Sequence, residues 1–446
     1  MASSVAVSSG IPRFKYRWKV LITDFLCLGL NYADRGAISV AAPFIIKDFS
    51  FSKAQFGIIL SIFFFGYAPF NWIGGYLSDK IGPRTVMGIA LAWWSTFTAL
   101  TAAGFGFVSF LIIRFLFGFG EGPQATVTAK TMTNWFPRHE LGRSLGIANS
   151  ATPLGAAMAS PIVVGILEAT NNNWRAAFVI LGAVGLLFTI GWFVVVRDTP
   201  EQHPRVSAAE REEIVPNRVG GPPDPDADRH APRIRRFLRE PLVWSTGCAF
   251  FGYSWVLYTF LSWFPVYLLQ EQHVSLADLA WAGAVPWVVG FIGMVVGGIV
   301  TDWLARRTGK PPATRKAIIV VNLLITAVLM GLSMTASSVS TAVLLMSAVL
   351  FFMYVTAAQY FAIIADLVPA VRYGGVVGFV HFVANCAGLA APFVVGLIVD
   401  QTHSWAMTFG LAAGICAGGG LVLLVFGNIR RLQELSCRPA AVEARR

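Results

Sequence analysis

Charge is scarce in this 446-residue chain: 13% of its residues are Asp, Glu, Lys or Arg, where soluble domains carry about 25%. Cysteine is scarce too. Cys27, Cys248, Cys386, Cys416 and Cys437 are scattered, mostly through apolar runs. They form no metal-spaced pair and imply no disulfide framework. Of six histidines, only His381 falls inside an apolar run. No Walker sequence, zinc cluster or nucleophile elbow occurs, so the sequence predicts neither an enzyme nor a metal site. A cleavable leader is not expected, because Arg13, Lys15, Arg17 and Lys19 lead straight into a full-length apolar segment.

Apolar residues fill the space that charge leaves. The chain is 56% hydrophobic, with 35 Phe and 14 Trp, and its mean hydropathy is +0.64. Apolar helices are predicted at 18–42, 54–77, 84–104, 107–131, 142–168, 174–196, 242–270, 276–304, 316–336, 340–366, 372–399 and 404–428. Each matches the roughly 20 residues that cross a bilayer. The net charge of +11 is confined to the N-terminus, the alternate loops and the tail, which argues against a nucleic-acid partner. By the positive-inside rule both termini are cytoplasmic and the helix count is even. The expectation is a multi-pass protein of the cell inner membrane, monomeric, with the lipid bilayer as its surroundings.

The stretch 197–241, rich in Pro, Asp, Glu and Arg, reads as a flexible, solvated cytoplasmic linker. It separates a bundle at 18–196 from one at 242–428, with tails at 1–17 and 429–446. The two bundles echo each other. Residues 75–84 read Gly-Tyr-Leu-Ser-Asp-Lys-Ile-Gly-Pro-Arg, and residues 298–307 read Gly-Ile-Val-Thr-Asp-Trp-Leu-Ala-Arg-Arg. Asp79 and Asp302 are 223 residues apart, and the same shift carries the first helix onto the seventh. The fold class predicted is an all-α membrane protein, twelve transmembrane helices in two pseudo-symmetric six-helix bundles. Two parallel halves imply a solute site between them near the midplane and transport by rocking.

Against this apolar background, Asp34 and Arg35 stand side by side in the first helix, Asp34 about 24 Å past Trp18. Each costs about 2.5–3.5 kcal/mol on insertion scales, so intramembrane charges are functional by default. In the fourth helix Arg114 and Glu121 are seven apart, within about 20° of one face. Arg35 and Arg114 are candidate anchors for a carboxylate, whose two oxygens match the planar guanidinium fork. The structural alternatives are compensation of Asp34 for Arg35 and a helix-to-helix salt bridge for Arg114. Asp34 and Glu121 are candidate proton carriers, since the arrival of an anion at a neighbouring Arg changes how readily a carboxylate loads a proton. Tyr32, Tyr67, Gln124, Tyr258, Gln359 and Asn385 are the polar choices for a hydroxylated substrate, each with interhelical hydrogen bonding as the alternative. Lys130 reads as a snorkelling cation, Asp24 as an interfacial acid, and His381 as a satisfied polar contact.

The pattern at 75–84 resembles the signature of the major facilitator superfamily, and the copy at 298–307 extends the resemblance to both halves. It implies the fold above and a cytoplasmic conformational latch formed by Asp79 and Arg84, with Asp302 as the counterpart. Within that superfamily, Asn31-Tyr32-Ala33-Asp34-Arg35, the run from Arg114 to Pro123, Trp135-Phe136-Pro137, and Asn385-Cys386-Ala387-Gly388 with Pro392 resemble the anion:cation symporter family, which includes transporters of galactonate, glucarate and hexuronates. The resemblance implies protonation at Asp34 and Glu121 and binding at Tyr67 and Asn385. Thr152 stands where galactonate-type members have Gln. Import of a sugar acid or similar small organic anion with protons, and no other cofactor, is therefore expected. A drug:proton antiporter of the same fold is the alternative. The Gly-Pro-rich fifth helix of such antiporters is matched only poorly by Ala151-Thr152-Pro153-Leu154-Gly155. A solute sensor would need a large cytoplasmic domain, for which the linker and tail offer no sequence.

Overall fold

The structure is a computed structural model describing residues 15–218, 232–336 and 338–436. Arg13, Cys437 and the proline run at 222–226 lie outside the described residues, with the rest of the tails at 1–14 and 437–446. The spans are, in order, Tyr16–Phe49, Lys53–Ile81, Pro83–Thr101, Phe107–Glu121 with Gln124–Trp135, Arg138–Ala169, Trp174–Val195, Pro241–Gln270, Leu276–Thr308, Pro311–Leu332, Val339–Val355 with Gln359–Ala365, Ala370–Thr402 and Trp405–Phe426. Their starts follow local chemistry. Ser52 and Gln55 form a reciprocal capping box, and Ser275, Ser338 and Ser404 each accept a first-turn N–H.

Two spans are divided where the sequence predicted continuous helices. The fourth breaks at Gly122-Pro123, because proline has no N–H and its ring meets the carbonyl one turn back. The tenth breaks at the equivalent place, Thr356 to Ala358, with neither proline nor glycine to signal it. Among the described residues, eight spans are long and apolar enough by themselves to cross a membrane. The exceptions are the first, third, fourth and seventh. The first carries Asp24, Asp34 and Arg35, which lower its hydropathy.

The packing repeats with the sequence. The first span packs on the fifth, the second on the fourth, the third on the sixth. In the second half the seventh packs on the eleventh, the eighth on the tenth, the ninth on the twelfth. Across the halves, the second meets the eleventh, the fifth meets the eighth, and the first meets the seventh. The described cross-contacts gather at the end whose loops carry few basic residues. There the Asp400 carboxylate accepts from the backbone N–H of Lys53 at 2.9 Å and of Ala54 at 2.6 Å. Those are N–H groups that a helix start leaves free. Gly57 lies against the backbone of Pro392, and Gly283 against Ser160. At the opposite end, Gly142, Gly146, Gly298, Gly374 and Gly378 face open space.

The described part of the linker at 197–218 is more ordered than expected. Its helix Ala208–Ile214 docks on the start of the first span. Glu210 accepts from the backbone N–H of Tyr16 and Arg17 at 2.9 and 3.0 Å, a carboxylate at a helix N-terminus, where the dipole favours it. Glu213 bonds Lys15 at 2.7 Å and Arg17 at 2.8 Å, and Arg17 reaches Glu140 of the fifth span at 3.1 Å. The segment is held because its acids meet the basic start of the first span.

Candidate functional site

Helical geometry puts Asp34 and Arg35 about 100° apart, and they part company. Arg35 turns to the fourth span, where its Nε and Nη2 donate to Glu121 Oε2 at 2.9 and 2.5 Å. Glu121 is the last residue before the break, at a helix end whose dipole disfavours a carboxylate. The guanidinium offsets this. Tyr32, Phe63 and Tyr67 surround Arg35, with its Cζ 4.9, 4.7 and 4.9 Å from their ring centres. Both partners are almost fully buried, at 5% and 0% exposure. Breaking such a pair costs about 3–5 kcal/mol, because the survivor is left buried and unpaired.

Arg114 is buried as well, over the rings of Phe117 at 4.6 Å and Phe63 at 5.5 Å. Among the described residues it forms no ion pair, and its Nε has no hydrogen-bond partner. The pure salt-bridge reading of Arg114 is thereby overturned, as is compensation of Arg35 by Asp34. Asp34 faces Thr98 and Trp94 of the third span instead, and among the described residues it forms no ion pair.

Arg35 and Arg114 line one small cavity with Ser39, Leu60, Phe63 and Phe64 of the first half and Tyr258, Leu261 and Ser262 of the seventh span. Tyr258 reaches it as a positioned side chain: its hydroxyl donates to Asn385 Oδ1 at 2.8 Å, and Asn385 in turn donates to the His381 carbonyl at 2.9 Å. Phe64 packs edge-on to the Tyr258 ring at 4.4 Å. Sequence reasoning missed Phe63, Phe64, Ser39 and Ser262. Phe63 was findable, lying one helical turn before Tyr67.

Other predicted residues lie elsewhere. Gln359 accepts from Arg315 at 2.9 Å, in a cluster where Arg315 also bonds Asp366 at 2.7 Å and approaches Asp302 at 3.6 Å. Gln359 therefore belongs to the basic-loop end of the second half and not to this cavity. Asp79 and Arg84 are not joined: Asp79 pairs with Lys130 at 2.6 Å, so Lys130 is a partner rather than a free snorkelling cation. The Arg84 guanidinium donates to the Phe193 carbonyl at 2.8 Å, and its backbone N–H donates to Asp198 at 2.8 Å. Gly82 between them has φ +85, and a side chain there would strike the Asp198 carboxylate. This accounts for the glycine of the 75–84 pattern. Asp24 is no interfacial acid: it is 0% exposed and accepts from Thr128 Oγ1 at 3.1 Å. Gln124 is buried on the same fourth span, with its Nε2 unpartnered. His381 stacks on Phe250 at 5.8 Å.

A repeated six-helix half with a polar cavity at the seam narrows the ancestry, and the sequence pattern of the Major Facilitator Superfamily matches residues 25–362. The chain belongs to that superfamily. Within this superfamily the chain is 38% identical over 432 residues to the hexuronate transporter of Bacillus subtilis (strain 168), covering 96% of this chain and 98% of that one. It is 32% identical over 414 residues to a probable sulfoacetate transporter of Cupriavidus necator, covering 92% and 94%. The crystal structure of a D-xylose-proton symporter superposes with a TM-score of 0.71 at 16% identity, covering 94% of this chain and 99% of that one. At that identity the likeness is one of fold. Sugar-acid transporters of the superfamily are its relatives, and the chain is a membrane-spanning transporter, not an enzyme.

Proposed function

We propose that this protein imports a small organic anion, a sugar acid of the hexuronate type, together with protons by alternating access. One observation carries the reading. Two arginines line a single buried cavity between the halves, and only one of them has a carboxylate partner. A pocket with an unpaired guanidinium attracts an anion and repels a lipophilic cation, which disfavours the drug antiporter. Arg114 receives the carboxylate. Tyr258 and the two serines meet hydroxyls, and Phe63, Phe64 and Leu261 exclude water. An anion that also engages Arg35 competes with Glu121, and a displaced buried carboxylate is costly unless it takes a proton. Asp34, buried without a cation beside it in an ion pair, is the second proton carrier. The protein sits in the inner membrane as a monomer with both termini cytoplasmic. Protons are the coupling ion.

The test is uptake by proteoliposomes of purified protein under an imposed pH gradient. The labelled panel is D-glucuronate, D-galacturonate, D-galactonate and sulfoacetate. Accumulation that collapses when a protonophore dissipates the gradient is expected. Uptake indifferent to the gradient, or no uptake of any panel member, overturns the reading.

A further inference from the structure

From the facing sides of the first and fourth spans we infer that a proton path runs from the Arg35–Glu121 pair to Asp24, which delivers protons to the cytoplasmic side. The inference rests on the symport reading above. Asp24, Asn31 and Arg35 lie at spacings of seven and four on the first span, and Glu121, Gln124 and Thr128 at three and four on the fourth. The first set keeps to one helix face, and the right-handed helical backbone of Gly122 and Pro123 carries the second past the break. The two faces meet: Arg35 bonds Glu121 at one end and Asp24 bonds Thr128 at the other. Asn31 stands between them, accepting from Arg35 Nη2 at 3.4 Å.

All six side chains are buried, yet the seam is not satisfied. Asp24 Oδ2 and Gln124 Nε2 have no hydrogen-bond partner, while the Asn31 amide lies on the Glu121 carboxylate. A buried polar atom left unbonded costs about 1–3 kcal/mol. Polar seams of this kind take up water, each molecule bonding two to four groups. Asn31 and Gln124 can order such water without exchanging protons. The groups that can hold a proton are Glu121 and Asp24, at the two ends, and the Thr128 hydroxyl can pass one. The eleven residues from Arg35 to Asp24 span about 16 Å of helix, which covers the distance from the midplane site toward the basic loops.

The chemistry is transfer of a proton and nothing else. An O–H bond at Glu121 breaks as one forms on seam water. A proton from that water then forms an O–H bond at Asp24, and the Asp24 proton leaves to bulk water. Cys27 on the same helix is the other titratable group near Asp24, and it lies between Asp24 and Asp34. Asp24 forms no ion pair among the described residues.

The experiment uses the full protein in proteoliposomes loaded with a pH-sensitive dye, and the panel acid that wild type takes up fastest. Gradient-driven uptake and internal acidification are measured beside counterflow, which exchanges substrate without net proton movement. Asp24→Asn is expected to cut driven uptake and acidification roughly tenfold or more, in the range of positioned proton-transfer groups, with counterflow near the wild-type rate. Asp24→Glu restores both. Unchanged driven uptake in Asp24→Asn overturns the path, as does a parallel fall of driven uptake and counterflow. Glu121→Gln separates the two readings. If it uncouples transport while Asp24→Asn does not, the symport reading stands and the path falls. Wild-type uptake indifferent to the gradient overturns both.

Discussion

The two halves share one fold and divide the chemistry of the site unequally. On the first-half side of the cavity stand Arg35 and Arg114, with Glu121, Asp34, Asn31 and Gln124 buried around them. The second half contributes Tyr258, Leu261 and Ser262, backed by Asn385. Behind these lies an aromatic stack in which Phe250 and Tyr360 rings are parallel at 4.3 Å and Tyr253 packs edge-on to Tyr354 at 6.1 Å. Asp302, the second-half acid of the latch pattern, and Asp366 gather on Arg315 at the basic-loop end. Duplication preserved helix packing because packing depends on the apolar faces. It did not preserve the polar residues, which answer to the solute. The first half holds charge and the second half shapes what is held.

The largest effect is expected where the first half's charge balance is broken. Glu121→Gln leaves Arg35 buried and unpaired, so its melting temperature in detergent falls sharply, by a penalty of about 3–5 kcal/mol. Adding Arg35→Gln to it recovers part of the loss. Equal melting of the single and double variants would remove the pair from the account. Next comes Arg114→Ala, which loses about 1.5–3 kcal/mol of charge-assisted binding, or about 10- to 150-fold in affinity. Arg114→Lys does not restore it, because a point charge lacks the fork. Saturation curves for uptake decide this, and a wild-type curve for Arg114→Ala would end the claim that charge resides in the first half.

On the second-half side, Tyr258→Phe removes one hydroxyl bond, worth about 0.5–1.5 kcal/mol. The expected rise in KM is under about 13-fold, and it is larger for hydroxylated acids than for sulfoacetate. A loss as great as that of Arg114→Ala would invert the comparison. Asp400→Asn weakens a carboxylate cap that joins the halves, about 0.3–1 kcal/mol. The outward-open state should gain about two- to fivefold, read as faster labelling of Ser39→Cys by an impermeant thiol reagent. No change in labelling would show that apolar contact alone closes that end.

The smallest effect concerns the docked linker, which belongs to the first half. Hydrogen bonds from Arg17 and Lys15 hold the Glu213 carboxyl down at about 2, against an ordinary 4.5. A depressed value in the folded state means that the contribution is complete above pH 4.5 and is lost as pH falls toward about 2. Amide exchange in the 208–214 helix should thus be flat from pH 8 to 5, after correction for intrinsic rate, and rise only in acid. A rise near neutrality would mean that other groups hold the segment.

Much of the fold was legible because apolar length, basic loops and repeated patterns are properties of consecutive residues. Helix positions came within a few residues, although the first helix runs through Pro43 to Phe49. The break at Gly122-Pro123 was written in the sequence and passed over, whereas the one at Thr356 has no local signal. Site residues were legible singly, since a charge in an apolar helix announces itself. Their partners were not. Arg35 and Glu121 are 86 residues apart, Gln359 and Arg315 are 44 apart, and no helical period links either pair.

By itself the sequence determined the class of molecule: bilayer-length helices, a duplicated half, and a few charges too costly to be incidental. Those follow from the transfer free energy of each residue, which its neighbours scarcely alter. Only the tertiary structure decided that Arg35 is paired while Arg114 is not, that Asp34 forms an ion pair with neither, and that Asp24 faces Thr128 across a polar seam. Which charge is neutralised depends on distances of a few ångströms between helices, and packing alone sets those.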